Sequence, residues 1–361
     1  NRPGTAKAGL FGVSGGTVNN VGLTGGSVSG GADSVGGLVG WNSSTGSIGN
    51  SYNTGVVLGA LDSTGGLVGS NDGSIGNSHA TGNVTGGQWG AGGLVGGNNS
   101  TGVISGSYST GNVIGAGSSG GFAGWNTGTI TTSYATGNST TSGCCGWFGG
   151  LVGDNVGNIS DSYATGNSVA NDRVGGLVGN HHGGTITNSY STGTATAWWG
   201  ASYAGGLTGG NPTGTGTVIN SYWNVTTSGL AASGNAGDTG LTTAQMKAMA
   251  NFTGWNIAGT GGAGATWRIY EGNTAPLLTG FLKPLTVTAD PVNTIYNGNA
   301  YAGALVNPVY NPASPNFAQV LGSANAYGNA TNAGTYAPAL YSVQQGYDIS
   351  FANGLLTIDP A

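Results

Sequence analysis

Gly37-Leu38-Val39-Gly40-Trp41-Asn42, followed by Gly46-Ser47-Ile48-Gly49-Asn50-Ser51-Tyr52-Asn53-Thr54-Gly55, decides the fold, because the same pattern returns six more times. Its leucine recurs as Leu38, Leu67, Leu94, Phe122, Leu151, Leu177 and Leu207, at intervals of 26 to 30 residues, with a degenerate earlier copy at Leu10. A fixed period of this length is the signature of a solenoid. Four residues after each of these stands Asn42, Asn71, Asn98, Asn126, Asn155, then His181, then Asn211. The second half pairs a branched apolar residue with an aromatic four places on: Ile48/Tyr52, Ile75/His79, Ile104/Tyr108, Ile130/Tyr134, Ile159/Tyr163, Ile186/Tyr190 and Val218/Tyr222.

The composition of these units excludes helices, since each interior Gly costs about 1 kcal/mol against Ala. Short β-branched or aromatic stretches bounded by Gly and Asn read as strands joined by turns. If each unit makes one coil, equivalent residues stack at about 4.8 Å. Leu then lies on Leu, Ile on Ile and Tyr on Tyr, and the Asn column forms an amide ladder that satisfies buried turn backbone. Parallel crossovers are nearly always right-handed. The expected fold is therefore all-β: a right-handed parallel β-helix of about eight coils, with a small helix-containing cap and a C-terminal β-sandwich-like or β-grasp-like module.

Gly-Leu-Val-Gly-x-Asn followed by Gly-x-Ile-x-x-Ser-Tyr-Ala-Thr-Gly-Asn resembles the GLUG repeat of large bacterial surface proteins, filamentous-haemagglutinin-like adhesins and some immunoglobulin A protease precursors among them. The likeness covers roughly residues 9 to 226 and departs from the pattern at His79, His181, Phe122-Ala123 and Asn224-Val225. It implies an extracellular protein exported by the two-partner route and anchored or continued outside this chain, and it names no activity.

The 361 residues include 78 Gly but no Gly-X-Y period, which excludes collagen. Six Lys plus Arg against eleven Asp plus Glu leave a net charge of -5, with no basic cluster to bind nucleic acid. No apolar run reaches the 18 or so residues of a membrane span. The start at Asn1-Arg2-Pro3-Gly4, without Met or an apolar signal region, reads as processed or excised.

Residues 1–36 read as an opening coil that protects the exposed strand edge, and residues 37–226 as the repeat array. Three insertions carry large aromatics before the Gly-Gly-Leu of the next coil: Trp89, then Trp147 and Phe148, then Trp198, Trp199 and Tyr203. In a regular solenoid they project from one edge, where they either shield the rod or contact a partner protein or glycan. Cys144 and Cys145 are adjacent, and a strained vicinal disulfide or two thiols are the alternatives. Two Cys with no spaced partner cannot complete a tetrahedral metal site, and no cofactor is expected.

Catalytic groups are scarce. There is one Glu, Glu271, and the one local cluster places Asp154 and Asp161 in one coil with His181 and His182 in the next. Strand spacing brings Asp154 within about 5 to 7 Å of one of these histidines. Such a pair serves acid-base chemistry or forms a surface ion pair, and the second reading leaves no catalytic residue to name. The Ser of each Ser-Tyr recurs in every copy, as a structural hydroxyl does.

Residues 227–284 read as a C-terminal cap and hinge. Gly240–Ala250 is the helix candidate, with Thr242 or Thr243 as its N-cap, and Trp255 and Trp267 follow to cover the last coil. Residues 285–361 resemble the mostly-β MBG module found in the same adhesins, with Tyr347–Phe351 and Leu355–Ile358 forming a hairpin about Asn353-Gly354. These readings converge on a non-catalytic adhesin or adhesin-like fibre segment, presenting loops to a host or neighbouring-cell protein or glycan. The alternatives are a self-assembling filament subunit, associating end to end, and a glycan-degrading β-helix enzyme.

Overall fold

The computed structural model describes residues 6–31, 33–143, 145–200, 203–210 and 215–361. Asn211, read as part of the Asn column, Cys144, and the N-terminal Asn1–Gly4 lie outside them. The chain divides into two compact units, Asn1–Thr243 and Ala244–Ala361.

The first unit is a parallel β-solenoid with five strand-bearing faces per turn, seven to nine strands deep according to the face. In the first complete coil the faces are Val35–Gly36, Val39–Asn42, Ser47–Gly49, Tyr52–Asn53 and Val56–Gly59. Register is strict. Val68 pairs with Val39 and Val95, Ile75 with Ile48 and Ile104, and His79 with Tyr52 and Tyr108. The Leu and Ile columns meet inside as one core, with Leu38, Leu67, Leu94, Phe122, Leu151, Leu177 and Leu207 all fully buried. Each such side chain contributes roughly 1.5–3 kcal/mol relative to exposure.

The corner between the third and fourth faces turns through one left-handed residue per coil, among them Asn50 (φ 48), Asn77 (φ 49), Thr132 (φ 46) and Asp161 (φ 46). Asn and Asp tolerate this conformation better than other side chains. The serine that follows holds the corner. Ser78 Oγ donates to Gly76 O at 2.8 Å and accepts the backbone N–H of Ser51, and Ser107 repeats both bonds one coil on. The rings after the serines stack face to face, with centroids 4.6 to 5.1 Å apart from Tyr52 through His79, Tyr108, Tyr134 and Tyr163 to Tyr190. Tyr222 continues the register.

The amide ladder runs one way. Asn42 donates to Asn71, Asn71 to Asn98, Asn98 to Asn126 and Asn126 to Asn155, at 2.7 to 2.8 Å. His181 then ends it: its Nδ1 lies 3.1 Å from Asn155 Nδ2, and its Nε2 lies 3.2 Å from the Thr217 carbonyl. An amide donor on one side and a carbonyl on the other fit only the neutral Nε2-protonated ring. Burial pushes this imidazole below the ordinary histidine range. The native state therefore binds fewer protons than the unfolded chain just below the usual histidine pKa of about 6.5, and stability present at neutral pH is lost as pH falls through that window. Replacing His181→Asn restores the amide and is expected to flatten the fall in thermal midpoint between pH 7 and pH 5. His79, also lowered by burial, supplies a residual slope. Equal slopes for variant and wild type would show that the ladder histidine does not report acid.

Gly240–Ala250 is not a helix. Asp238–Leu241 instead adds a strand to the fourth face beside Ser221–Asn224, and Thr243 bonds the Asn224 side chain rather than capping a helix. Two 3-10 turns follow, Gln245–Lys247 and Met249–Asn251, divided by the extended Ala248. The helical turn of this region is Val225–Ser228, capped by Asn224.

In the second unit, Trp255 packs between Phe252 and Trp267, with ring centroids at 4.9 and 4.7 Å. Lys283–Asp290 lies between Val306–Asn311 and Tyr347–Phe351, and Leu356–Asp359 lies between Val292–Ile295 and Gly334–Tyr336. Leu285, Val287, Leu340, Ile349, Leu356 and Ile358 share one core with these two sheets. Asn353-Gly354 therefore does not close a hairpin. Gly354 has the positive φ (98°) of a turn, yet each flanking strand finds a parallel partner earlier in the chain, and the turn crosses from one sheet to the other.

Candidate binding face

The second face reads Leu-Val-Gly-x-Asn, with Leu, Val and Asn all buried, and because neighbours along a strand point to opposite sides, the x directly before the inward Asn faces outward. The x column is Val13, Trp41, Ser70, Gly97, Trp125, Asp154 and Asn180. Two further columns flank it. On one side stand the residues before the first face: Ser34, Ser63, Gly90, Ser118, Trp147, Arg173 and Tyr203. On the other stand the residues after each ladder position, including Asp72, Asn99 and His182. Contacts across the columns join them: Ser34 to Ser70 at 3.0 Å, Arg173 Nη1 to Asn180 Oδ1 at 3.1 Å, and Trp125 Nε1 to Asn99 Oδ1 at 3.3 Å.

Large side chains collect at two places on this surface. Trp41 donates to Asp72, which also accepts from Asn99, and Lys7 Nζ stands 3.7 Å above the Trp41 ring. The second group is larger. Trp125 lies across Gly97, with Gly90 against its edge, where an added Cβ at either glycine would meet the indole at 2.0 to 2.4 Å. Trp89, next to Gly90 and half exposed, meets Trp147 edge-on at 6.1 Å, and Trp147 meets His182 at 6.2 Å and Arg173 at 5.8 Å. His182 Nδ1 is 3.1 Å from Asp154 Oδ1, which accepts from Asn180 at 2.9 Å. Burial raises the Asp154 carboxyl above its usual range, against the pull of His182, Asn180 and Arg173.

Of the aromatic edge read from the insertions, Trp89 and Trp147 join this group, and Tyr203 stands next above Arg173 in its column. Phe148 does not belong to it. It is fully buried, pairing with Ser119 and Val174 as the inward first residue of a first-face strand, beside the outward Trp147. Trp198 and Trp199 are exposed but extend the fifth face, their N–H groups bonded to Ala170 and Asn171. His182, not the ladder residue His181, is the histidine that meets Asp154, and Asp161 sits at the left-handed corner between other faces. Of the vicinal cysteines, Cys144 lies outside the described residues, and Cys145 is exposed. Trp41 and Trp125 occupy the variable x position, and alternation counted back from the buried ladder Asn is the signal for them.

This geometry defines a parallel β-solenoid whose second face gathers large side chains at two places. Residues 62–85 and 170–196 match the family model described as the GLUG motif, and each match spans one complete turn, from before the first face into the fifth. No curated protein and no solved structure matches the chain. Among the described residues no helix is long and apolar enough to cross a membrane, and no group of three or more His, Cys, Asp or Glu is placed to hold a metal.

Proposed function

We propose that the chain is an extracellular, adhesin-like segment of a bacterial surface protein, in which a stiff solenoid presents the second face to a partner surface. The observation that carries this reading is the clustering of Trp89, Trp125, Trp147, Arg173, Asp154 and His182 where other coils manage with Ser or Gly. A binding role also accounts for the Asp154–His182 pair better than glycan hydrolysis does. Hydrolysis takes two carboxyl groups about 5–9.5 Å apart. Among the described residues of the three columns the other carboxylate is Asp72, three coils away, about 14 Å at strand spacing.

Beads coated with the purified chain are expected to adhere saturably to cells, with soluble chain competing. The double variant Trp89→Ala/Trp147→Ala should lower adhesion at least tenfold, and Trp198→Ala/Trp199→Ala should leave it within twofold. Adhesion lost only in the second variant would move the recognition surface to the fifth face. Beads that adhere to nothing would remove the reading.

A further inference from the structure

We propose that the patch built by Trp89, Trp125, Trp147, Asp154, Arg173 and His182 binds a short run of neutral pyranose sugars. This rests on the adhesive reading of the same face and names its ligand.

The fold does not call for these side chains. At the position of Trp147 other coils carry Ser34, Ser63, Gly90 and Ser118, and at the position of Trp125 they carry Ser70 and Gly97, with unbroken register on either side. Bulk at these places is therefore surplus to packing.

Its chemistry is that of a hydroxylated ring. Indole faces carry negative quadrupole density that attracts polarised C–H groups, and one side of a pyranose offers a row of these. Around the indoles stand hydrogen-bonding groups with capacity to spare. Asp154 uses Oδ1 for both Asn180 and His182, and Oδ2 has no hydrogen-bond partner among the described residues. Arg173 donates through Nη1 to Asn180, while its buried Nε has no hydrogen-bond partner. An unused carboxylate oxygen beside three indoles matches a ligand that offers hydroxyl donors along an apolar ring face.

Charge narrows the class further. Asp154 beside the rings and Asp72 along the same face repel a polyanion, and the patch's cation, Arg173, is already engaged with Asn180 and Trp147. An apolar protein surface would cover Asp154 Oδ2 without giving it a donor. A neutral glycan meets neither obstacle.

The chain should be applied to an array of neutral, N-acetylated and acidic glycans, with binding to the neutral members expected. For the best neutral oligosaccharide, titration followed by tryptophan fluorescence should show Trp89→Ala, Trp147→Ala and Asp154→Ala each weakening binding at least tenfold, with the Trp198→Ala/Trp199→Ala variant unchanged. Trp125→Phe keeps a ring over Gly97 and should cost less than Trp125→Ala, so the comparison stands even if the alanine variant folds poorly. Binding confined to acidic glycans, binding to none, or binding indifferent to the first three variants would overturn the assignment. Periodate separates the two readings. Adhesion that survives periodate treatment of the target cells but is lost in Trp89→Ala/Trp147→Ala keeps the adhesive role and removes the sugar. Oligosaccharide binding without bead adhesion does the reverse.

Discussion

Gly92→Ala is expected to prevent the solenoid from folding, or to lower its stability by more than about 4 kcal/mol, the range reserved for severe backbone or core conflicts. A Cβ on Gly92 would stand 1.9 Å from the Val95 carbonyl oxygen and 2.8 Å from both Ala123 Cα and Gly124 N. All three obstacles are backbone, so no rotamer change relieves them. The cause is close approach and not a left-handed conformation, since φ at Gly92 is ordinary. The same position is Gly36, Gly65, Gly120, Gly149, Gly175 and Gly205 in the other coils, where the added atom would meet the carbonyl three residues on at 1.8 to 2.3 Å. The Gly-Gly-Leu-Val-Gly corner is thus folded tightly enough that the first two faces exclude any side chain between them. Gly16→Ala is the control, with nothing within 4 Å of its added Cβ, and it should move stability by less than about 0.5 kcal/mol. Circular dichroism and chemical denaturation of the two variants decide the matter. A Gly92→Ala protein that unfolds at the wild-type midpoint would mean that the corner can open, and that the glycines answer to something else.

Stacking explains how much of this molecule could be read from the chain. In a parallel solenoid a residue's nearest neighbours are its equivalents one period away, so Leu94 on Leu67, Ile104 on Ile75 and Asn98 on Asn71 announce themselves by recurrence. The surface site has no such periodicity, because it exists where the pattern is broken. Trp125 and Trp147 are 22 positions apart in sequence and belong to different columns, and only the tight corner sets the columns side by side. Phe148 was placed on the wrong side for a related reason: an aromatic pair in an insertion looks like one feature, while the strand it enters sends consecutive residues to opposite sides. Gly240–Ala250 failed as a helix because local propensity lost to pairing. An available fourth-face edge at Ser221–Asn224 took residues 238–241, leaving too few for a stable helix. In the second unit Tyr347–Phe351 and the strand after Asn353-Gly354 are legible but mispaired, since Asn-Gly signals a turn without saying which partner each flanking strand will choose, and Val292–Ile295 and Val306–Asn311 carry no such signal.

Asn98→Ala is the second large effect, expected to cost about 3–5 kcal/mol, with two or three buried groups orphaned at about 1–3 kcal/mol each. Asn98 is fully buried, accepts from Asn71, donates to Asn126 and reaches the Gly102 carbonyl at 3.2 Å. Its loss leaves Asn126 Oδ1 without its ladder donor and one Asn71 N–H without its acceptor. Position within the ladder then becomes a test of cause. Asn42 begins the chain of donors, its own Oδ1 is already buried without a partner, and the residue beneath it in register is Ser14. Asn42→Ala breaks one amide link instead of two and should cost clearly less, although both side chains are equally buried. Asn98→Asp should be the worst of the three, because a carboxylate can only accept and would face Asn126 Oδ1 across a gap of about 2.8 Å. Urea unfolding followed by tyrosine and tryptophan emission gives the ranking, Asp above Ala at 98, and both above Ala at 42. Equal costs at 42 and 98 would assign the effect to lost packing and deny the ladder its polarity. The ranking bears on the binding face as well. Each ladder residue directly follows an outward x residue, so the amides that link coil to coil inside also set the spacing at which Trp125, Asp154 and Asn180 stand outside.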